Sequence, residues 1–244
     1  MDNTDIIKSF KLQDKLNPKI WEKDGNSYKM KPEVRERLLE IANQFLDSLD
    51  VDLIITDIVL TGSLANYNWS KYSDFDIHII TNFNQFPTAS LDLYKELFNL
   101  KKALFNKIHD ITLFGYDTEI YVEGEDDAHF SSGVYSLLYD EWQNEPEKEK
   151  IKIDKNTIQR KAKQWMEIID GVLENIEDED IDDAKKLIES YKEKLRKYRN
   201  CGLEKDGEYS SENLVFKILR RNGYLEKLRG ASSEIINKKL SMKQ

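Results

Sequence analysis

Residues 61–81 read TGSLANYNWSKYSDFDIHIIT. A Gly-Ser pair (62–63) closes the apolar run DIVLT (57–61), and after a spacer of ten residues Asp74 and Asp76 open a second apolar run. Side chains alternate across a strand, so Asp74 and Asp76 share one face while Phe75, Ile77 and Ile79 share the other. At roughly 3.3 Å per residue the two carboxylates are about 7 Å apart along the strand. Ionised carboxylates that close repel, and burial makes this worse. A divalent cation between them turns the repulsion into binding. An all-oxygen donor set suits Mg²⁺ or Mn²⁺ rather than zinc.

Working outward, Pro32 serves as a first-turn proline for a helix carrying Val34, Leu38, Leu39, Ile41, Ala42, Phe45, Leu46 and Leu49 at helical spacing. Strands are expected at DIVLTG (57–62), DFDIHIIT (74–81) and DTEIYVE (117–123), with a helix over about 89–107 between the last two. Beyond SGVYSLLYDEW (132–142) a charged stretch with Pro146 reads as a linker, and from about 157 the periodicity is helical throughout, the Trp165 stripe included. The chain is therefore expected to be α+β over residues 1–148, a mixed sheet flanked by helices, followed by an all-helical domain over 149–244.

In the third strand Asp117, Glu119, Tyr121 and Glu123 share one parity, so a neighbouring position would let one acid complete a three-carboxylate cluster. Glu119 is preferred because it lies inside the strand; Asp117 is the alternative. Gly62 allows a tight turn, and Ser63 can cap a helix starting at LANYNW, whose exposed N–H groups would seat a phosphate. A phosphate seat ahead of a metal-binding carboxylate pair is the equipment of two-metal phosphoryl or nucleotidyl transfer.

GSLANYNWSKYSDFD (62–76) resembles the pattern of the DNA polymerase beta-like nucleotidyltransferase superfamily: Gly-Ser, a spacer of about ten, Asp-x-Asp among apolar residues, and a later acid on another strand. The resemblance covers roughly residues 57–123. It implies a nucleotidyltransferase-like core in which Gly62 and Ser63 hold a triphosphate, Asp74 and Asp76 bind both metals (Mg²⁺ or Mn²⁺), and Glu119 is the third ligand and base. The family often has Asp at the third position, so Glu119 departs from it. The whole chain, GEYSSENLVFKILRRNGY (207–224) included, also looks like uncharacterised nucleotidyltransferases encoded by bacteriophages, a likeness that carries no substrate.

In the helical half Asn213, Lys217, Arg220 and Tyr224 recur on one polar helix face, opposite Leu214, Val215, Ile218 and Leu219. In the family such basic residues often grip the triphosphate, which makes Lys217 and Arg220 nucleotide-binding candidates. Trp69 and Tyr72 could stack a base, Tyr135 could touch sugar or base, and His78 shares the parity of Asp76.

Residues 1–150 carry 16 Lys and Arg against 28 Asp and Glu, and the remainder 21 against 18. The net charge of −9 argues against a protein that coats nucleic acid indiscriminately, though a local basic groove is compatible with it. There is no P-loop, no Ser-His-Asp grouping and no cysteine metal site, and Cys201 is the sole cysteine. With no apolar leader or membrane-length run, the expectation is a cytoplasmic protein with no membrane role. The expected reaction moves a nucleoside monophosphate from an NTP to a hydroxyl or amine acceptor (a small molecule, an RNA 3′ end or a protein) and releases pyrophosphate. The alternative is an inactive nucleotide-binding or protein-interaction module with the same fold.

Overall fold

The computed structural model describes residue 6 and residues 8–49, 51–126, 131–148, 153–175 and 180–241. The chain divides into two compact units, Lys11–Glu149 and Met1–Phe10 with Lys150–Gln244.

In the first unit a hairpin of β1 (Trp21–Asp24) and β2 (Ser27–Met30) precedes α1 (Pro32–Asp47). Pro32 stands in the first turn of α1, where its missing N–H costs nothing. Strands β3 (Ile55–Thr61) and β4 (Phe75–Thr81) follow. Helix α2 (Leu91–Ile108) then crosses to β5 (Thr112–Leu113) and β6 (Tyr116–Gly124), before β7 (Val134–Ser136) and β8 (Glu141–Asn144). The six-stranded sheet has the order β5-β6-β4-β3-β7-β8. Among the described strands only β4 and β6 run parallel, and they need the α2 crossover for that reason.

One face of this sheet is apolar. Ile58, Leu60, Phe75, Ile77, Ile79 and Ile120 pack with Val34, Leu38, Ile41 and Phe45 of α1 in one core cluster. The α1 periodicity and the strand alternation thus meet on the same face, and the opposite face of β4 and β6 is left to the acids.

Helix α2 is bound to β6 through backbone groups. The Asn106 side chain accepts from the Ile120 N–H at 3.1 Å and donates to the Ile120 carbonyl at 3.1 Å, filling ladder positions that a further strand would take. From there Phe105 enters the apolar core, and Lys102, three residues earlier, lies over Tyr121 of β6.

The second unit contains α3 (Lys155–Asn175), α4 (Ile181–Asp206), α5 (Ser211–Arg221) and α6 (Tyr224–Leu240). Ser210 caps α5 by accepting from the Asn213 N–H, and Gly223, at φ +76°, separates α5 from α6 as the Asn222-Gly223 break implies. The polar face expected for α5 is not a free one. Asn213 is buried, accepting from Arg199 Nε at 3.1 Å and donating to the Glu208 carbonyl at 2.7 Å, and Tyr224 donates to Asp170 from α6.

The β1–β2 hairpin, β7 and β8 are not expected from the sequence pattern. Their strands are three or four residues long, too short for alternation to register.

Candidate functional site

Asp76 stands opposite Thr61 across the antiparallel β3–β4 ladder and beside Glu119 in the parallel β4–β6 ladder. Cross-strand partners share a face, so Asp76, Glu119 and Thr61 project to the same side of the sheet. Asp74 immediately precedes β4. One ligand atom each from Asp74, Asp76 and Glu119 lies within 4.8 Å of the others, and all three residues are half-buried. Asp117, the alternative third acid, is exposed beside Thr112 and is not part of this group.

Three carboxylates this close repel by about 3 kcal/mol per pair at an effective dielectric near 20, before screening. Summed over the pairs, that is comparable to the whole stability of a domain. Three further features fit a hard divalent cation here. The donor set is oxygen only. Among the described residues the buried Thr61 Oγ1 on the same face has no hydrogen-bond partner. Gly62 cradles Asp76: a Cβ at that position would stand 2.0 Å from Asp76 Oδ2. Its φ of +75° and ψ of −160° belong to a region open essentially to glycine alone.

The spacer between Gly62 and Asp74 is tied at its two ends. Ser63 Oγ donates to Ser73 Oγ at 2.7 Å, and Ser73 Oγ accepts from the Ser70 N–H at 3.0 Å. Further out, the Asn66 amide donates to Ser132 Oγ at 2.6 Å, and the Gly62 N–H donates to Ser131 Oγ at 3.3 Å. The expected helix at LANYNW does not form. Ser63–Ala65 is a single 3-10 turn, its cap is Gly62, and Ser63 caps nothing. A turn that short has no helix dipole to offer a phosphate. Gly62 and Ser63 therefore border the carboxylates as a latched turn, not as a helix N-terminus.

Trp69 is anchored in the loop, donating from its indole N–H to the Lys15 carbonyl at 2.9 Å and packing on the core, and Lys71 Nζ lies 4.9 Å from the Tyr72 ring centroid. Tyr135 is not placed to touch a nucleotide, contrary to expectation. It is 1 % exposed in the core, edge-on to Trp21 and Trp142, and its hydroxyl donates to Asp140 Oδ1 at 2.8 Å. Tyr135→Phe is expected to cost about 1–2 kcal/mol in urea unfolding, because the hydroxyl also accepts from the buried Met30 N–H, with nucleotide affinity unchanged. A weakened affinity would restore Tyr135 to the site. Lys217 and Arg220 lie on α5 in the helical unit. Arg220 is exposed and Lys217 half-buried, with burial pushing its ammonium pKa down against the pull of Glu208.

Three residues beside the acids have no role assigned by the sequence pattern. Tyr121 donates its hydroxyl to Glu119 Oε2. His78 stacks on the Tyr121 ring with centroids 4.7 Å apart, and Nδ1 of His78 lies 2.9 Å from Glu123 Oε2. Lys102 Nζ stands 4.5 Å from the Tyr121 ring centroid. Burial pushes the Lys102 ammonium down, with Glu123 and Glu119 opposing, and burial together with the Glu119 hydrogen bond holds the Tyr121 phenol well above its usual pKa. The parity of Tyr121 is legible in the sequence. The position of Lys102 is not, because it reaches this face only through the way α2 binds β6.

The family model described as a nucleotidyltransferase domain matches residues 39–199, a span that takes in β3, β4, β6 and all three acids. No curated protein and no solved structure matches the chain. Among the described residues no helix is long and apolar enough to cross a membrane.

Proposed function

The chain belongs to the nucleotidyltransferase domain family, and from that premise we propose that it transfers a nucleoside monophosphate from an NTP to a hydroxyl or amine acceptor, releasing pyrophosphate. The observation that carries the reading is the convergence of Asp74, Asp76 and Glu119 on one sheet face, with ligand atoms within 4.8 Å.

Asp74 and Asp76 would hold the divalent cations, Mg²⁺ or Mn²⁺, with Glu119 as the third ligand. When bound, such cations neutralise the triphosphate and favour ionisation of the acceptor hydroxyl. Gly62 and Ser63, held by Ser131 and Ser73, would border the triphosphate. Glu119 would take the acceptor proton as the acceptor oxygen or nitrogen bonds to the α-phosphorus and the bond to the β-phosphate oxygen breaks. Nothing in this scheme needs a group outside the NTP, the acceptor and the cations.

Incubation with each α-labelled NTP and Mg²⁺ or Mn²⁺, with and without total cellular RNA or a small-molecule extract, tests the reading. Label is expected on one acceptor class, and it should vanish when Asp74 and Asp76 are both replaced by Asn. An RNA acceptor further predicts salt-sensitive binding that weakens on neutralising Lys217 or Arg220. Binding of NTP and metal with no label transferred to any acceptor would instead support an inactive binding module.

A further inference from the structure

Glu119 has three side-chain torsions where aspartate has two, so it loses more conformational freedom on being fixed beside Asp76. The structure holds its carboxylate by a specific contact. Tyr121, the next residue on the same face of β6, donates its hydroxyl to Glu119 Oε2. The Tyr121 ring is held in turn: His78, its direct neighbour in the β4–β6 ladder, stacks on it at an interplanar angle of 23°, and Lys102 Nζ from α2 lies 4.5 Å from its centroid. Glu123, one step further along β6, lies 2.9 Å from the His78 Nδ1 that faces it.

We propose that Tyr121 is a positioning residue for the third carboxylate, its hydroxyl fixing the plane of Glu119 while His78 and Lys102 fix the Tyr121 ring. One Glu119 oxygen is engaged by the phenol, and the carboxylate is aimed at the side where Asp74 and Asp76 converge. Partners that orient a metal ligand in this way typically set metal affinity by ten- to a hundredfold. The proposal rests on the metal-binding reading of the acids given above.

The test is a Mn²⁺ titration of the full chain followed by electron paramagnetic resonance of free Mn²⁺, alongside pyrophosphate release at varied Mn²⁺ and NTP, for wild type, Asp76→Asn, Tyr121→Phe and Tyr121→Leu. Tyr121→Phe keeps the ring and loses only the hydroxyl. It is expected to weaken Mn²⁺ binding about tenfold and to lower kcat, with KM for the NTP at saturating Mn²⁺ at its wild-type value and the urea midpoint lowered only by the loss of one hydrogen bond, less than in Tyr121→Leu. Tyr121→Leu should match that loss of affinity and also lower the midpoint. Wild-type affinity and kcat in Tyr121→Phe, with Asp76→Asn losing both, would overturn the positioning role alone. Weakened binding in Tyr121→Leu only would overturn it equally, since the ring then acts by packing. Failure of the wild type to bind Mn²⁺ would overturn the metal-binding reading and this proposal together.

Discussion

Asp76→Asn is expected to lower nucleotidyl transfer by at least about a thousandfold without unfolding the protein. Asp76 sits at the crossing of both ladders, opposite Thr61 and beside Glu119, and its carboxylate completes the cluster with Asp74. Loss of a cation held there would remove several kcal/mol of charge stabilisation from the transition state, and about 4 kcal/mol corresponds to a thousandfold in rate. Asn has the shape of Asp without the charge, so the packing of β4 is kept. In metal-free buffer one member of a repelling trio is neutralised, and thermal stability should be equal to or above wild type. Rate and melting temperature measured on the same preparation check this. A variant that retains turnover within tenfold of wild type would show that Asp76 is not a metal ligand in the reaction.

Gly62→Ala is the second change with a large expected effect. Two costs arise at one atom. The backbone at φ +75° and ψ −160° excludes a Cβ, at about 1–3 kcal/mol, and the added carbon would stand 2.0 Å from Asp76 Oδ2. The Asp76 carboxylate has to swing away, so Mn²⁺ binding and transfer should both be lost, together with about 2–4 kcal/mol of stability in urea unfolding. Gly25→Ala is the matched control: its φ is +58° and nothing lies within 4 Å of the added carbon, so strain alone remains. That variant should lose about 1–2 kcal/mol and keep full activity. Wild-type Mn²⁺ affinity in Gly62→Ala would mean that the turn does not constrain Asp76.

The parts of this molecule that are legible in the sequence share a cause. Strands β3, β4 and β6 are seven to nine residues long, and α1 to α5 carry sustained apolar periodicity, so their patterns stand out. Parity along β4 and β6 puts Asp76 and Glu119 on definite faces, and the parallel ladder aligns them. What parity does not contain is tertiary hydrogen bonding. Ser63 looks like a helix cap because it follows Gly and precedes Leu-Ala, yet its hydroxyl is taken by Ser73 and the turn stops after three residues. Tyr135 looks accessible in a serine- and glycine-rich stretch, but Trp21 and Trp142, from strands too short to read, enclose it. Lys102 lies on a helix whose periodicity is plain, and its approach to Tyr121 follows from Asn106 binding the backbone of β6.

Whether Asp74, Asp76 and Glu119 together move a nucleoside monophosphate is tested most directly by following two labels in parallel. The protein would be incubated with Mg²⁺, the accepted NTP and its acceptor fraction, once with the α-phosphate labelled and once with the γ-phosphate labelled. The α label is expected on the acceptor and the γ label in released pyrophosphate, and neither should move when Asp74 and Asp76 are both replaced by Asn. Appearance of the γ label on the acceptor, or α transfer that survives the double replacement, would contradict the claim.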